Sequence, residues 1–191
     1  MIPIFSYAFY LLDNGMASYV TANLFNPTGD SGVIKVDLDW LLANWQSNGC
    51  DLWEEIHSSD LFWNRFTMRR ALFRASALAS RLGDLVSAST YNSTALAIEA
   101  TLSAHYNGQF VFEDVNRQMD GAVICAFNNG YNDDGLFAPT SKEVAGTILA
   151  YNQMFHSQYD INTADDKAGI PGILYGRYEG DHYAGFMKPF F

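Results

Sequence analysis

Residues 61–82 read LFWNRFTMRRALFRASALASRL, a stretch whose apolar positions follow the 3.6-residue period of an α-helix. Its apolar face is formed by Leu61, Met68, Leu72, Ala75, Leu78, Ala79 and Leu82. Ser58, Ser59 and Asp60 are residue types that cap helix N-termini, and Gly83 is typical of a helix end. The stretch therefore predicts a long helix that buries one face in a core.

Similar signals occur along most of the chain. Apolar periodicity, capping residues and Asn-Gly stops predict five more helices, at about residues 5–12, 33–46, 93–105, 120–127 and 140–159. Thr140 and Glu143 have the spacing of a capping box. Residues 110–112 predict a short extended segment, and the last thirty residues are Gly-rich and irregular. We expect an all-α fold of helix hairpins packed side by side, with function on the loops.

The composition limits the ligand class. Of the 191 residues, 49% are hydrophobic and 15% aromatic, and 11 basic against 21 acidic residues give a net charge of −10. Such a chain buries a core, and it lacks the clustered Lys and Arg with which proteins bind nucleic acids or anionic membranes. The apolar segment at residues 1–12 is too short to span a bilayer. A neutral carbohydrate fits best, because aromatic rings cover sugar faces and carboxylates accept hydroxyl hydrogen bonds.

Neither the cysteines nor the histidines predict a metal site or a cofactor. Cys50 and Cys125 are too few for a disulfide scaffold; they form either one bridge or two buried thiols. The four histidines show no metal-ligand spacing. Residues 128–135 look like a calcium loop, but position 141, where that loop requires Glu, is Ser.

The densest cluster of acidic residues is GCDLWEEI at residues 49–56. It places Asp51, Glu54 and Glu55 around the indole of Trp53. Acidic residues before a helix are also favoured by the helix dipole and can simply face water. Here apolar residues alternate with the acids, and a carboxyl beside apolar surface has a raised pKa and can donate a proton near neutral pH.

A second cluster, YGRYEGDHY at residues 175–183, surrounds Arg177 with glycines, tyrosines and acids. Its arginine is suited to bidentate hydrogen bonds with sugar hydroxyls, and its glycines let backbone approach a ligand. The alternative is a surface loop with a local pair between Arg177 and Asp181.

Together these motifs resemble the glucoamylase family (glucan 1,4-alpha-glucosidase, glycoside hydrolase family 15). The matching segments, in chain order, are residues 11–15 (LLDNG), Trp45, Gly49, residues 51–55 (DLWEE), 70–72 (RAL), 137–141 (FAPTS), 159–162 (YDIN) and 176–178 (GRY), with Asp181 and Tyr183. The resemblance extends from about residue 11 to residue 183, and the DLWEE string is its most specific part.

The resemblance implies an (α/α)6 toroid that removes glucose from the non-reducing ends of α-1,4-glucans such as starch, with inversion. It also implies a secreted or vacuolar protein. The alternative is a truncated, non-catalytic or regulatory glucan-binding fragment of the same fold.

By position in the motifs, the resemblance makes Glu54 the general acid and Asp51 a second acidic residue with a catalytic role. The substrate-binding residues that it implies are Leu52, Trp53, Glu55 and Arg177. Asp181 matches a position that orders the arginine loop.

The sequence departs from the family pattern in three places. An inverting hydrolase needs a second carboxylate roughly 6.5–9.5 Å from the acid to activate water, and no residue here matches the family's base. Glu179 replaces a proline, and residues 185–191 leave the pattern. Twelve helices also need at least about 200 residues, whereas this chain predicts about six. We therefore expect residues 1–191 to be part of a single catalytic domain that lacks both ends.

Overall fold

The computed structural model describes residues 2–29 and 31–181, so Tyr183 and the departure at residues 185–191 lie outside it. In chain order its elements are α1 (Ile2–Asp13), α2 (Ala17–Tyr19), a π-helical segment (Val20–Leu24), α3 (Val33–Asn44), β1 (Gly49–Cys50), β2 (His57–Ser58), α4 (Phe62–Arg81), α5 (Leu85–Leu102) with a 3-10 turn (Ser103–His105), α6 (Ala122–Gly130), α7 (Lys142–Gln158) and α8 (Asp160–Lys167). The predicted all-α class is confirmed. Among these helices, none is long and apolar enough to cross a bilayer.

Helix α4 joins two hydrophobic cores. Its second half, including Leu72 and Leu78, packs into a core with α1, α3 and α5. Its first half, with Phe62 and Phe66, belongs to a second core formed with α6 and α7. The apolar stripe of residues 61–82 thus packs into these cores as predicted, with five of its seven residues buried and Met68 and Leu82 half-buried.

The turn between α4 and α5 makes a helix hairpin. Gly83 has a φ of +82°, a conformation that costs glycine little, and Asp84 caps α5 by accepting the N–H of Ser87 at 3.0 Å. Helix α5 therefore begins at Leu85, eight residues before the predicted start. The prediction was wrong because Val, Ser and Thr dominate this first half, and they are weak helix formers that tertiary packing overrides.

The N-terminus of α4 is capped from another part of the chain. The predicted caps at residues 58–60 do not form, and the N-cap position is Leu61, which has no side-chain cap. Instead the carbonyl of Glu113 accepts the N–H of Phe62 at 3.0 Å, and its Oε2 accepts the N–H of Trp63 at 3.0 Å. A cap supplied 50 residues away leaves no local sequence pattern.

Other boundaries differ by local chemistry. Ser141, not Thr140, caps α7, accepting the N–H of Val144 at 3.3 Å. Helix α8 occupies part of the terminal segment that was predicted to be irregular. The sequence does not predict this helix because the segment is short and polar and shows little apolar periodicity. Val111 forms only an isolated bridge where a short extended segment was predicted.

Both cysteines are free thiols, so the bridge between Cys50 and Cys125 does not form. Cys50 is exposed and its Sγ lies 3.1 Å from Nε2 of His57, whereas Cys125 is half-buried. The alternative of two buried thiols is also wrong, because β1 places Cys50 on the outer side of its ladder.

Candidate active site

The acidic string forms a closed loop. Strands β1 and β2 pair in antiparallel register, Gly49 with Ser58 and Cys50 with His57, so that residues 51–56 are the connection between them. The ladder thus ties both ends of the connection together.

The Asp51 carboxylate holds this loop from inside. Its Oδ1 accepts the N–H groups of Glu55 at 2.7 Å and Ile56 at 3.2 Å. Its Oδ2 lies 2.8 Å from Nη1 of Arg117, and the side chain is completely buried. Both carboxylate oxygens therefore bind the protein rather than solvent.

Glu54 lies at the tip of the loop. Its φ of +59° is in the left-handed region, and its N–H donates to the Asp51 carbonyl at 3.2 Å. The residue is exposed, and across the described ranges its carboxylate has no hydrogen-bond donor or ion-pair partner. A non-glycine residue in this region is strained by about 1–3 kcal/mol, and such strain clusters at functional sites.

Glu55 connects the two sequence clusters. Its carboxylate pairs with Nη1 of Arg177 and, at 3.2 Å, with Nη2 of Arg117, and it accepts the hydroxyl of Tyr178. Burial alone would raise the pKa of this carboxyl, but the Tyr178 hydrogen bond and the two arginine charges outweigh it, so the pKa lies below its ordinary value. Glu55 is thus a firmly ionised acceptor. Arg177 also binds Asp181 with two nitrogens, at 2.9 and 2.7 Å. This is the local pair named as the alternative for this segment, and it is equally the contact expected of a residue that orders the arginine.

Trp53 is oriented by a buried aspartate. The Nε1–H of Trp53 donates to Oδ1 of Asp120 at 2.7 Å, and the Arg177 guanidinium lies 5.9 Å from the centre of the Trp53 ring. The half-buried ring therefore stands between the two clusters. Leu52, also half-buried, completes the turn beside it.

The raised pKa expected for a carboxyl of the acidic string is found instead at two buried acids outside it, Asp120 and Glu113. Within the string, Glu54 is exposed, Asp51 is paired with Arg117, and the pKa of Glu55 is lowered. Burial raises the pKa of Asp120, although hydrogen bonds from Ala122 and Trp53 oppose it. Burial, opposed by the N–H of Trp63, raises the pKa of Glu113 to about 8.

Two tertiary contacts hold the arginine segment in place, one to α8 and one to the start of α6. The Asn162 amide donates to the Leu174 carbonyl and accepts the Leu174 N–H, both at 2.9 Å. Farther along, the N–H of Gly121 donates to the carbonyl of Arg177. A Cβ at Gly121 would lie 2.6 Å from the carbonyl oxygen of Gly176, so this close approach requires glycine.

The structure thus brings Asp51, Trp53, Glu54, Glu55 and Arg177 into one site, as the motifs suggested. It adds residues that sequence reasoning missed, namely Glu113, Arg117, Asp120 and, as a ligand of Glu55, Tyr178. The only signal for the first three is the run of charges at residues 113–120 between two apolar segments.

Comparison with known proteins relates the whole chain to one family. Residues 2–189 match the family model described as Glycosyl hydrolases family 15. The chain is 35% identical over 189 residues to Glucoamylase 1 of Rhizopus oryzae, covering 92% of this chain and 29% of that protein. It is 37% identical over 177 residues to Glucoamylase GLU1 of Saccharomycopsis fibuligera, covering 84% and 34%.

Solved glucoamylases share its fold. The structure from Hormoconis resinae superposes with a TM-score of 0.78 and 25% identity, covering 96% of this chain and 31% of that one. The Saccharomycopsis fibuligera structure gives 0.72 and 26%, covering 81% and 34%. The helices therefore follow the (α/α)6 toroid of those structures. The chain spans about a third of the length of these relatives.

Proposed function

Because the chain belongs to glycosyl hydrolases family 15, we propose that the protein to which it contributes releases glucose from the non-reducing ends of α-1,4-glucans, with inversion. Relatives named glucoamylase support the activity, and the geometry of the acidic loop supports its assignment to this part of the fold. The substrate class follows from the resemblance of the motifs.

The exposed carboxyl of Glu54, which has no side-chain partner within residues 2–29 and 31–181, is the observation that carries the proposal. Asp51 and Glu55 are both held by Arg117, whereas Glu54 projects from a strained turn toward solvent. A general acid must reach the glycosidic oxygen and be able to hold and release a proton. Of the three carboxyls in the string, Glu54 meets the first requirement.

The neighbouring side chains form a receptor for sugar hydroxyls. Glu55 is ionised and retains acceptor capacity beyond its three donors, because a carboxylate offers about four lone-pair sites. Arg177 supplies charge-assisted N–H donors, and the ring of Trp53 supplies an apolar face. In this arrangement Asp51 holds Glu54 in place.

We infer that the general base comes from outside this chain. Asp51 is buried, and the lowered pKa of Glu55 makes it a weak acceptor of a proton from water. Neither carboxylate is therefore suited to activate water, and inversion requires one that is. By the resemblance of the motifs, which gives no residue of this chain that role, the base is a carboxylate from the remaining part of the toroid that faces Glu54.

The test is glucose release from maltose by the full-length protein and its Glu54→Gln variant, with Glu143→Gln on α7 as the matched control. We expect Glu54→Gln to lower kcat by about 10²–10⁴-fold with KM nearly unchanged, because it removes the proton donor and little ground-state binding. Early proton NMR spectra should show β-glucose as the first product.

Two results would count against the proposal. A Glu54→Gln protein that keeps the wild-type rate excludes Glu54 as the acid. A first product in the α-configuration excludes inversion. The control variant should match wild type in both measurements, since Glu143 lies in the first turn of α7 and outside the loop.

A further inference from the structure

Arg117 is the residue that three carboxylates of the site contact in common. It lies in the segment between α5 and α6, far along the chain from the acidic loop. Its Nη1 lies 2.8 Å from Asp51 Oδ2 and 3.7 Å from Asp120 Oδ2, and its Nη2 lies 3.2 Å from Glu55 Oε2. Its guanidinium carbon stands 4.0 Å from the centre of the Tyr178 ring. One planar cation thus contacts three acids and one aromatic face.

The charge balance makes this cation necessary. The side chains of Asp51 and Asp120 are completely buried, and only 17% of the Arg117 side chain is exposed. A buried carboxylate without a counter-charge is strongly destabilised. Among the described residues, Asp120 Oδ2 accepts no hydrogen bond. The cation that forms an ion pair with it there is Arg117.

The contacts of Arg117 also fix the positions of neighbouring groups in the site. Asp51 receives Arg117 on one oxygen and the backbone of residues 55 and 56 on the other, so it couples the guanidinium to the turn that carries Glu54. Tyr178 is stacked on Arg117 and donates its hydroxyl to Glu55. Displacing the guanidinium would therefore displace both sides of the sugar receptor.

We propose that Arg117 is a positioning residue of this site, which sets the places of Glu55 and of the Glu54 turn without touching the substrate. The proposal rests on the function given above. This role requires a fork of N–H donors for the carboxylates and a flat face for the Tyr178 ring. Lysine has neither, because its ammonium is a compact point charge on a flexible stem.

The experiment compares Arg117→Gln and Arg117→Lys in the full-length protein, with Arg81→Gln as the matched control. Arg81 pairs with Asp13 on the surface, where both side chains are largely exposed. The measurements are kcat and KM for maltose, the thermal unfolding midpoint, and the affinity of a glucose-shaped imino sugar as a function of pH. Dividing each variant affinity by the wild-type value at the same pH removes the titration of the ligand itself.

We expect both Arg117 variants to lose about 10- to 100-fold in kcat/KM, the effect of losing hydrogen bonds between charged groups. As the pH is lowered, imino sugar binding by Arg117→Gln should begin to weaken at a higher pH than binding by wild type. The reason is that loss of the arginine charge lets Glu55 accept a proton at a higher pH. Arg117→Lys keeps the charge and should lose activity without that displacement. Arg81→Gln should match wild type throughout.

Each other outcome has a distinct meaning. If wild type releases no glucose, the proposed function fails independently of Arg117. If wild type is active and both Arg117 variants stay within about twofold of it, the positioning role is overturned. A lowered unfolding midpoint with unchanged pH dependence and unchanged kcat/KM of the folded fraction would reduce Arg117 to a structural residue and also overturn the proposal.

Discussion

Replacing Glu113 with glutamine should flatten the pH dependence of stability. The Glu113 side chain is completely enclosed where it caps α4, and its Oε1 has no hydrogen-bond partner among the described residues. Burial, opposed by the Trp63 N–H and reinforced by the charges of Asp120, Asp51 and Asp114, raises the pKa of Glu113 to about 8 from an ordinary value of 4.5. The carboxyl is therefore protonated in the folded protein near neutral pH.

The sign of the effect follows from proton binding. Between the two pKa values the folded state holds a proton that the unfolded state has released, so stability falls as pH rises through this window. The contribution is complete below about pH 4.5 and lost above about pH 8. At pH 7 the loss from this one group amounts to about 3 kcal/mol.

Urea unfolding of the protein at about pH 5 and about pH 7.5 measures the effect. Wild type should lose about 3 kcal/mol of unfolding free energy from Glu113 between these conditions, and Glu113→Gln should lack that loss, because glutamine stays neutral. The unpaired amide of the variant costs about 1–3 kcal/mol at every pH, so the difference between conditions, not the absolute stability, is diagnostic. Glu143→Gln should follow wild type.

Parallel pH curves for wild type and Glu113→Gln would refute the reasoning. They would mean that Glu113 is ionised in the folded protein and that the helix terminus and the Trp63 N–H together outweigh its burial.

Two further predictions concern the tether of the arginine segment and the cysteines. Asn162→Ala should lower the unfolding free energy by about 1–3 kcal/mol and raise KM for maltose, because it removes both hydrogen bonds between the buried Asn162 amide and the backbone of Leu174; unchanged stability and KM would show that the tether is dispensable. A thiol reagent applied to the native protein should modify Cys50 before Cys125, since only the former is exposed; mass spectrometry of the labelled peptides decides, and equal rates or an unreactive pair would contradict the structure.

The parts of the fold that the sequence predicts correctly are those with clear local signals, such as apolar periodicity and helix-stop residues. The stripe of residues 61–82 identified α4, and Gly15, with a φ of +75°, ends α1 as its Asn-Gly signal indicated. The start of α5 was missed because its residues favour helix only weakly, and tertiary contacts of Ala88 and Tyr91 stabilise it. The cap of α4 was missed because Glu113 acts across 50 residues.

The residues of the site likewise divide into those that the sequence identifies and those that only the fold brings together. The string at residues 51–55 identified its own acids because they are adjacent in the chain, and the arginine motif identified Arg177. The contact of Arg117 with Asp51 joins residues 66 apart, and Trp53 bonds Asp120 across 67. Such pairs leave no spacing to read in a single sequence, and only the folded backbone brings them within hydrogen-bond distance.

The left-handed backbone of Glu54 sets a limit on engineering this protein. Asparagine and glycine adopt a φ of +59° at less cost than glutamate does, so either would relieve strain at the loop tip. Selection for heat resistance alone would therefore enrich substitutions at the very position proposed to donate the proton. Libraries screened for stability should hold Glu54 constant, because improvement by that measure and loss of turnover arise there from the same change.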